Sequence, residues 1–285
     1  MRSALYVPGS RPELFDKAMS SRADVVLLDL EDSVPPAAKD RARTAVAAWL
    51  SESRASGPRI WVRVNPGSIG EADLAAVAVA GVSAVCLAKT ESAAQVHVAG
   101  AVLREFEPCP GGIRICPILE SASAVLAARE IAAAPRIDRL QLGETDLCAE
   151  IGVDPSPDDR ELWAVRSQVV LASAAVGIAP PLGPVRTDFG DLEALKVSTM
   201  ALARMGFRGR ACIHPAQVAV VNEVFAPDPA DIERARALVA RFDAAGGAAL
   251  DDEGRMVDLA VVRRARRLLA NSAQHDGGGA SRTGT

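Results

Sequence analysis

Cys116-Pro-Ile-Leu-Glu-Ser121, answered by Leu140-Gln-Leu-Gly-Glu-Thr-Asp146, reads as strand, acid, helix, strand, acid. Each stretch is a short apolar run that stops at a carboxylate, Glu120 in the first and Asp146 in the second. The segment between them, 122–134, is rich in Ala and has helical composition. Parallel neighbouring strands need such a crossover, and both acids then emerge at the same edge of the sheet. Two hard oxygen ligands side by side suit Mg²⁺, which takes one or two carboxylates and fills its sphere with water and substrate. Taken singly, each acid also reads as a helix N-terminal carboxylate favoured by the dipole. The pairing is what favours the metal.

The same alternation recurs along the chain. Runs 4–7, 25–30, 60–64, 82–87, 112–118, 137–142, 177–183 and 210–213 read as strands, the seventh of them broken by prolines. Helices are expected over 13–20, 36–53, 71–80, 91–106, 122–134, 159–176, 191–205 and 215–225. The unbroken run Val25-Val-Leu-Leu-Asp-Leu30 suits a strand buried on both faces. Eight alternations predict an α/β fold, a parallel TIM (β/α)8 barrel over 1–226. An open doubly wound sheet is the competing architecture, but no GxGxxG follows the first strand. Beyond the barrel, 227–270 reads as a C-terminal helical lid, and the polar, Gly-rich 271–285 as a disordered tail.

Composition sets limits on function. The 285 residues are 49% hydrophobic but only 4% aromatic, so the core must be aliphatic. A net charge of −4 gives no field that would attract nucleic acid or an anionic membrane. No apolar run reaches membrane-spanning length, and the N-terminus does not read as a signal peptide. The five cysteines show no CxxC spacing and read as reduced thiols of a cytoplasmic protein. Three scattered histidines argue against a His-based zinc site.

In a barrel the chemistry gathers at the C-terminal strand ends. Asp29, Glu31, Asp32, Lys89, Glu120, Asp146 and His214 all fall there. Asp29, Glu31 and Asp32 read either as an acid cluster supporting the site or as caps of the next helix. Lys89 reads either as part of that strand-end chemistry or simply as a partner for Glu91, and His214 as a structural hydrogen-bonding residue before Pro215. Arg63 sits inside its strand among apolar neighbours, and a buried guanidinium needs an anionic partner, usually a carboxylate. Arg11 and Lys17 are spaced to reach a phosphate-bearing ligand above the barrel, although spacing alone reads as surface charge.

Five motifs then line up in order: Leu5-Tyr-Val-Pro-Gly-Ser-Arg-Pro12, Leu28-Asp-Leu-Glu-Asp-Ser-Val34, Val62-Arg-Val-Asn65, Ile118-Leu-Glu-Ser121 and Cys212-Ile-His-Pro215. Together they resemble the citrate lyase β-subunit-like group of the HpcH/HpaI aldolase and citrate lyase family, from Tyr6 to about Leu269. The resemblance implies a TIM barrel that cleaves or forms C–C bonds through a Mg²⁺-stabilised enolate. Its substrates would be 3-hydroxyacyl-CoA thioesters of the malyl-, citramalyl- or citryl-CoA type. By position, it implies Glu120 and Asp146 as Mg²⁺ ligands and Arg63 as the group holding the carbonyl and the developing enolate. It also implies Tyr6, Arg11, Lys17, Gly143 and Glu144 as contacts to substrate or CoA. Met256-Val-Asp258 matches a C-terminal motif whose Asp acts as acid/base on a neighbouring subunit's site, which implies a homotrimer or a hexamer. Three positions depart from the family pattern: Ala88 stands where many relatives have Pro, Thr145 where many have an acid, and no Asp precedes Val185. The alternatives are a 2-oxo acid aldolase that uses no CoA and a catalytically weak binding protein on the same fold.

Overall fold

The computed structural model describes residues 1–52, 57–246, 249–250 and 256–276. The chain divides after Phe225 into two compact units. The first is built on β1 (Ser3–Pro8), β2 (Val25–Asp29), β3 (Arg59–Val64), β4 (Val82–Leu87), β5 (Arg114–Leu119), β6 (Gln141–Leu142) and β7 (Arg210–Cys212). These strands form one parallel sheet in the order β6-β5-β4-β3-β2-β1-β7.

Leu182 and Gly183 close the ring between β6 and β7. Leu182 N–H donates to Leu140 O at 2.9 Å, and Ala211 N–H donates to Gly183 O at 3.0 Å. The expected seventh strand is therefore only a pair of isolated bridges. Pro180, Pro181 and Pro184 flank it and lack the N–H groups that a longer ladder requires.

Side-chain alternation sorts the core. Ala4, Val25, Leu27, Trp61, Ala84, Cys86, Cys116 and Ile118 form one buried cluster, while their strand neighbours Val26, Leu28, Val62 and Val85 belong to the larger cluster with the helices. That is the inside–outside division of a small barrel, whose interior is packed rather than open. Trp61 supplies the bulk that an aromatic-poor sequence otherwise lacks. Cys86, Cys116 and Cys212 are buried free thiols, as their apolar surroundings suggest.

The outer helices are α1 (Phe15–Met19), α2 (Lys39–Ser51), α3 (Gly67–Val77), α4 (Ala93–Phe106), α5 (Ala122–Leu126), α6 (Ala128–Ala132), α7 (Glu144–Ile151), α8 (Trp163–Val176), α9 (Leu192–Met205) and α10 (Pro215–Val224). The single helix expected over 122–134 is split at Ala127. Helix α7 was not expected at all. Ser92 and Gln95 form a capping box on α4, and Asp191 caps α9. His214 caps α10, accepting from Ala216 N–H at 3.2 Å, so it is the structural residue its position suggested.

Glu107, at the end of α4, holds two loops together. Arg136 donates to its two oxygens at 2.6 and 2.9 Å, and Gly111 N–H at 2.6 Å. The Arg136 bonds hold its carboxyl down at about 2. A depressed folded value means that this stabilisation is complete above the unfolded value of about 4.3. It is lost as pH falls through the folded value. Glu107→Gln is expected to cost about 3 kcal/mol at neutral pH, because Arg136 is left half-buried without its counter-charge. The variant should also flatten stability between pH 5 and 2 in urea unfolding, and a wild-type acid limb would contradict this.

In the second unit, α11 (Pro229–Ala244) is capped by Asp228, and β8 (Ala249–Leu250) pairs antiparallel with β9 (Met256–Val257). Phe242, Val257 and Val262 form a small core of their own. The last helix, α12 (Leu259–Asp276), runs past the expected end at 270, and 277–285 of the expected tail lie outside the described residues. Among the described residues, no helix is long and apolar enough to cross a membrane.

Candidate active site

The C-terminal strand ends of the first unit surround a cavity of about 410 Å³. Tyr6, Asp29, Asp32, Arg63, Glu120 and the run 141–146 line it.

Arg63 is its best-anchored cation. The β2–β3 register sets it opposite Asp29. Nε donates to Asp29 Oδ1 at 2.6 Å and one Nη to Asp29 Oδ2 at 2.7 Å. The other Nη lies 2.9 Å from Glu31 and 3.3 Å from Asp32. Its Cζ sits 5.0 Å from the centre of the Tyr6 ring, and Tyr6 Oη in turn accepts from Gln141 Nε2 at 2.8 Å. Burial pushes the Asp29 carboxyl up, but the Arg63 hydrogen bonds outweigh it and hold it below the usual range. The acid cluster after β2 is therefore the clamp of Arg63. Its members do not cap the next helix: neither the 3-10 turn Pro36–Ala38 nor α2 behind it has a side-chain cap.

Glu120 follows β5 directly, but Asp146 does not end a strand. It lies in the first turn of α7, two residues beyond Glu144. The two acids meet at Lys89. Lys89 N–H donates to Glu120 Oε2 at 2.8 Å, and Nζ lies 3.2 Å from Asp146 Oδ2 and 2.7 Å from Glu31 Oε1. Lys89 is thus bound to the acid cluster rather than to Glu91. Burial pushes the Glu120 carboxyl up to about 7, with the Glu31 charge adding to the shift and the Lys89 N–H opposing it.

Gly143 makes this packing possible. A Cβ there would stand 2.5 Å from Glu120 Cγ and 2.8 Å from Oε1. Gly143→Ala is expected to displace the Glu120 carboxylate and lower activity by at least about tenfold, since misplacing a reacting group by about 1 Å costs up to 10²-fold. Steady-state rates at matched folded protein would check this. Wild-type turnover would contradict it.

The donor set fits a hard divalent cation. It consists of two carboxylates that already share Lys89, Glu120 through its N–H and Asp146 through its ammonium, and Gln141 Oε1 on the same cavity is buried with no hydrogen-bond partner. Among the described residues, no group of three or more His, Cys, Asp or Glu could hold a metal. Water and substrate would fill the remaining positions, as Mg²⁺ accepts.

The other sequence candidates scatter. Glu144 lines the cavity, but its oxygens accept from Arg166 at 2.6 and 2.7 Å. Arg166 is fully buried on α8 and also reaches Asp159 at 3.0 Å. Nothing in the local sequence pattern signals this pair, which spans 22 residues. Arg11 is exposed and paired with Glu13, and Lys17 is exposed on α1; neither lines the cavity. Asp258 belongs to the second unit, where Oδ1 caps α12 by accepting from Ala260 N–H at 2.9 Å and Val261 N–H at 3.0 Å.

Known proteins resemble this chain in sequence and in fold. The (3S)-malyl-CoA thioesterase of Cereibacter sphaeroides is 35% identical, covering 95% of this chain and 94% of its own. The L-malyl-CoA/beta-methylmalyl-CoA lyase of the same organism is 32% identical, covering 94% of this chain and 93% of its own. The crystal structure of CitE from Mycobacterium tuberculosis, in complex with magnesium, acetoacetate and coenzyme A, superposes with a TM-score of 0.76. It is 33% identical and covers 95% of this chain and 98% of that one. Residues 2–215 match the family model described as HpcH/HpaI aldolase/citrate lyase. With that match spanning all seven strands of the barrel, and the relatives nearly the whole chain, the protein belongs to the HpcH/HpaI aldolase/citrate lyase family of lyases.

Proposed function

We propose that the chain is a Mg²⁺-dependent carbon–carbon lyase that cleaves, or in reverse forms, a 3-hydroxyacyl-CoA thioester of the malyl-, citramalyl- or citryl-CoA type. The observation that carries this reading is one cavity lined by a clamped Arg63 together with the Glu120–Asp146 pair. Glu120 and Asp146 would hold Mg²⁺, which supplies Lewis-acid polarisation of substrate oxygens.

The chain's own residues do the rest. Asp29 fixes two donors of Arg63, so the guanidinium keeps its place at no cost when charge develops on a substrate oxygen. Tyr6, Leu142, Val185 and Ile213 give the cavity apolar wall, which excludes water from an enolate. Cleavage takes the 3-hydroxyl proton and returns one to the enolate carbon. That proton traffic is assigned to Asp258, delivered by a neighbouring subunit of a cytoplasmic homotrimer or hexamer. Arg11 and Lys17, exposed after β1, are assigned to the CoA phosphates.

Thioester hydrolysis is the second reading, favoured by the thioesterase relative. The two reactions differ in product. Lyase action on malyl-CoA releases a carbonyl acid and leaves the thioester intact; hydrolysis releases free thiol and no carbonyl. Purified protein with Mg²⁺ and a panel of malyl-, citramalyl-, 3-hydroxy-3-methylglutaryl- and citryl-CoA should yield a phenylhydrazine-reactive product, lost with EDTA. Thiol without carbonyl would establish the hydrolase instead.

A further inference from the structure

Lys89 is held in an unusual way. It is a non-glycine residue with φ of 51°, in the left-handed region, two residues after the end of β4. Such a backbone persists only where its surroundings over-determine it. Here they do so on both sides. Ala88 N–H donates to Val64 O at 3.4 Å, Thr90 N–H to Ile118 O at 3.2 Å, and Thr90 Oγ1 to Leu87 O at 2.9 Å. The kink aims the Lys89 N–H at Glu120 Oε2 and sends the ammonium across to Glu31, Asp32 and Asp146, at 2.7, 3.5 and 3.2 Å. One residue thus grips both acids of the candidate cation pair, Glu120 through its backbone and Asp146 through its side chain.

The charge balance shows what the ammonium is for. Asp29, Glu31, Asp32, Glu120 and Asp146 crowd one end of the barrel, and Arg63 and Lys89 are the cations set among them. Arg63 is committed to Asp29 by two hydrogen bonds. Among the described residues, Lys89 makes the only ion pair to Asp146. Its side chain is 42% exposed, so the ammonium can withdraw into solvent without a burial penalty.

We propose that Lys89 is the built-in counter-cation of the metal site: its ammonium holds Asp146, together with Glu31 and Asp32, in place while no divalent cation is bound, and it yields Asp146 when one arrives. It is a positioning residue, and the role rests on the Mg²⁺ reading above. Two consequences follow from the charges. Without the ammonium, the metal-free acid cluster repels itself and the fold loses stability. Without it, a divalent cation also meets no like charge and no rival for Asp146, so it binds more tightly. A plain structural salt bridge shares the first consequence and lacks the second.

The test uses the full-length protein without substrate. Mg²⁺ affinity is measured by calorimetric titration, and thermal unfolding is followed with and without Mg²⁺. Wild type, Lys89→Met, Lys89→Gln and Lys89→Arg are compared, and Lys89→Gln serves if Lys89→Met does not fold. Lys89→Met and Lys89→Gln are expected to bind Mg²⁺ at least about tenfold more tightly than wild type. Their metal-free Tm should be lower, and Mg²⁺ should raise it by more than it raises wild type. Lys89→Arg, which keeps the charge, should stay within about threefold of the wild-type Kd. A Kd in the neutral variants equal to or weaker than wild type overturns the proposal and leaves the metal reading standing. Wild-type protein that binds no Mg²⁺ overturns the metal reading and the proposal with it.

Discussion

Arg63→Met is expected to lower turnover by at least about 10²–10³-fold, the usual loss when a preorganised donor to a developing oxyanion is removed. The same change is expected to destabilise the fold by about 3–5 kcal/mol, because it strands a buried charge. Asp29 is 1% exposed, and both of its oxygens accept from Arg63. Without the guanidinium, the N–H groups of Glu31 and Ser33, at 2.9 and 3.1 Å, and the Ser33 side chain are left to a buried charge. Arg63→Lys keeps a charge but not the planar fork, so it should recover part of the stability and little of the rate. Denaturant unfolding and kcat/KM on the same preparations separate the two effects. Full activity in a destabilised Arg63→Met protein would make Arg63 a purely structural ion-pair partner.

Removing a metal-pair acid should have the opposite signature. Asp146→Asn and Glu120→Gln are expected to weaken Mg²⁺ activation by at least about 100-fold, since even the hydrogen-bond partners of metal ligands are worth 10–100-fold. Glu120→Gln should not destabilise the metal-free protein. Burial already drives its carboxyl up to about 7, so the charged form is disfavoured in the fold and a neutral amide suits the position. A raised folded value also means that, for this group, the metal-free protein is most stable below the unfolded carboxylate range of about 4.3. It loses that stability as pH rises toward 7. Activity as a function of Mg²⁺ concentration, with the Tm recorded beside it, checks both halves. A Glu120→Gln enzyme with normal Mg²⁺ activation would remove Glu120 from the metal pair.

How far the sequence could be read depended on how local each signal was. Parallel strands buried on both faces leave continuous apolar runs, so the Val25–Leu30 stretch and its counterparts marked the barrel. The stave at Leu182 and Gly183 was faint because prolines around it remove the ladder that would lengthen it. Helix α7 was hidden for a different reason. Its first turn carries Glu144 and Asp146, and acids after a two-residue strand look like a strand end.

Within the site, the energetic cost of burying Arg63 was enough to require a carboxylate partner. Its identity as Asp29 came only with the β2–β3 register. The simple reading of Lys89 as a partner for Glu91 fails because sequence neighbours need not be partners in space. A left-handed backbone at Lys89 turned it toward Glu31 and Asp146 instead, and that conformation leaves no mark in residue type. The Glu144–Arg166 pair was invisible for the same reason, being a contact between two distant helices.

The central claim is that Glu120 and Asp146 together hold a divalent cation beside Arg63. Anomalous diffraction from crystals soaked in Mn²⁺ tests it most directly, since the ion reports its own position. The account predicts one peak in the barrel cavity, about 2.0–2.2 Å from a carboxylate oxygen of each acid. No peak between them at saturating Mn²⁺, or a peak held by other residues alone, would contradict it.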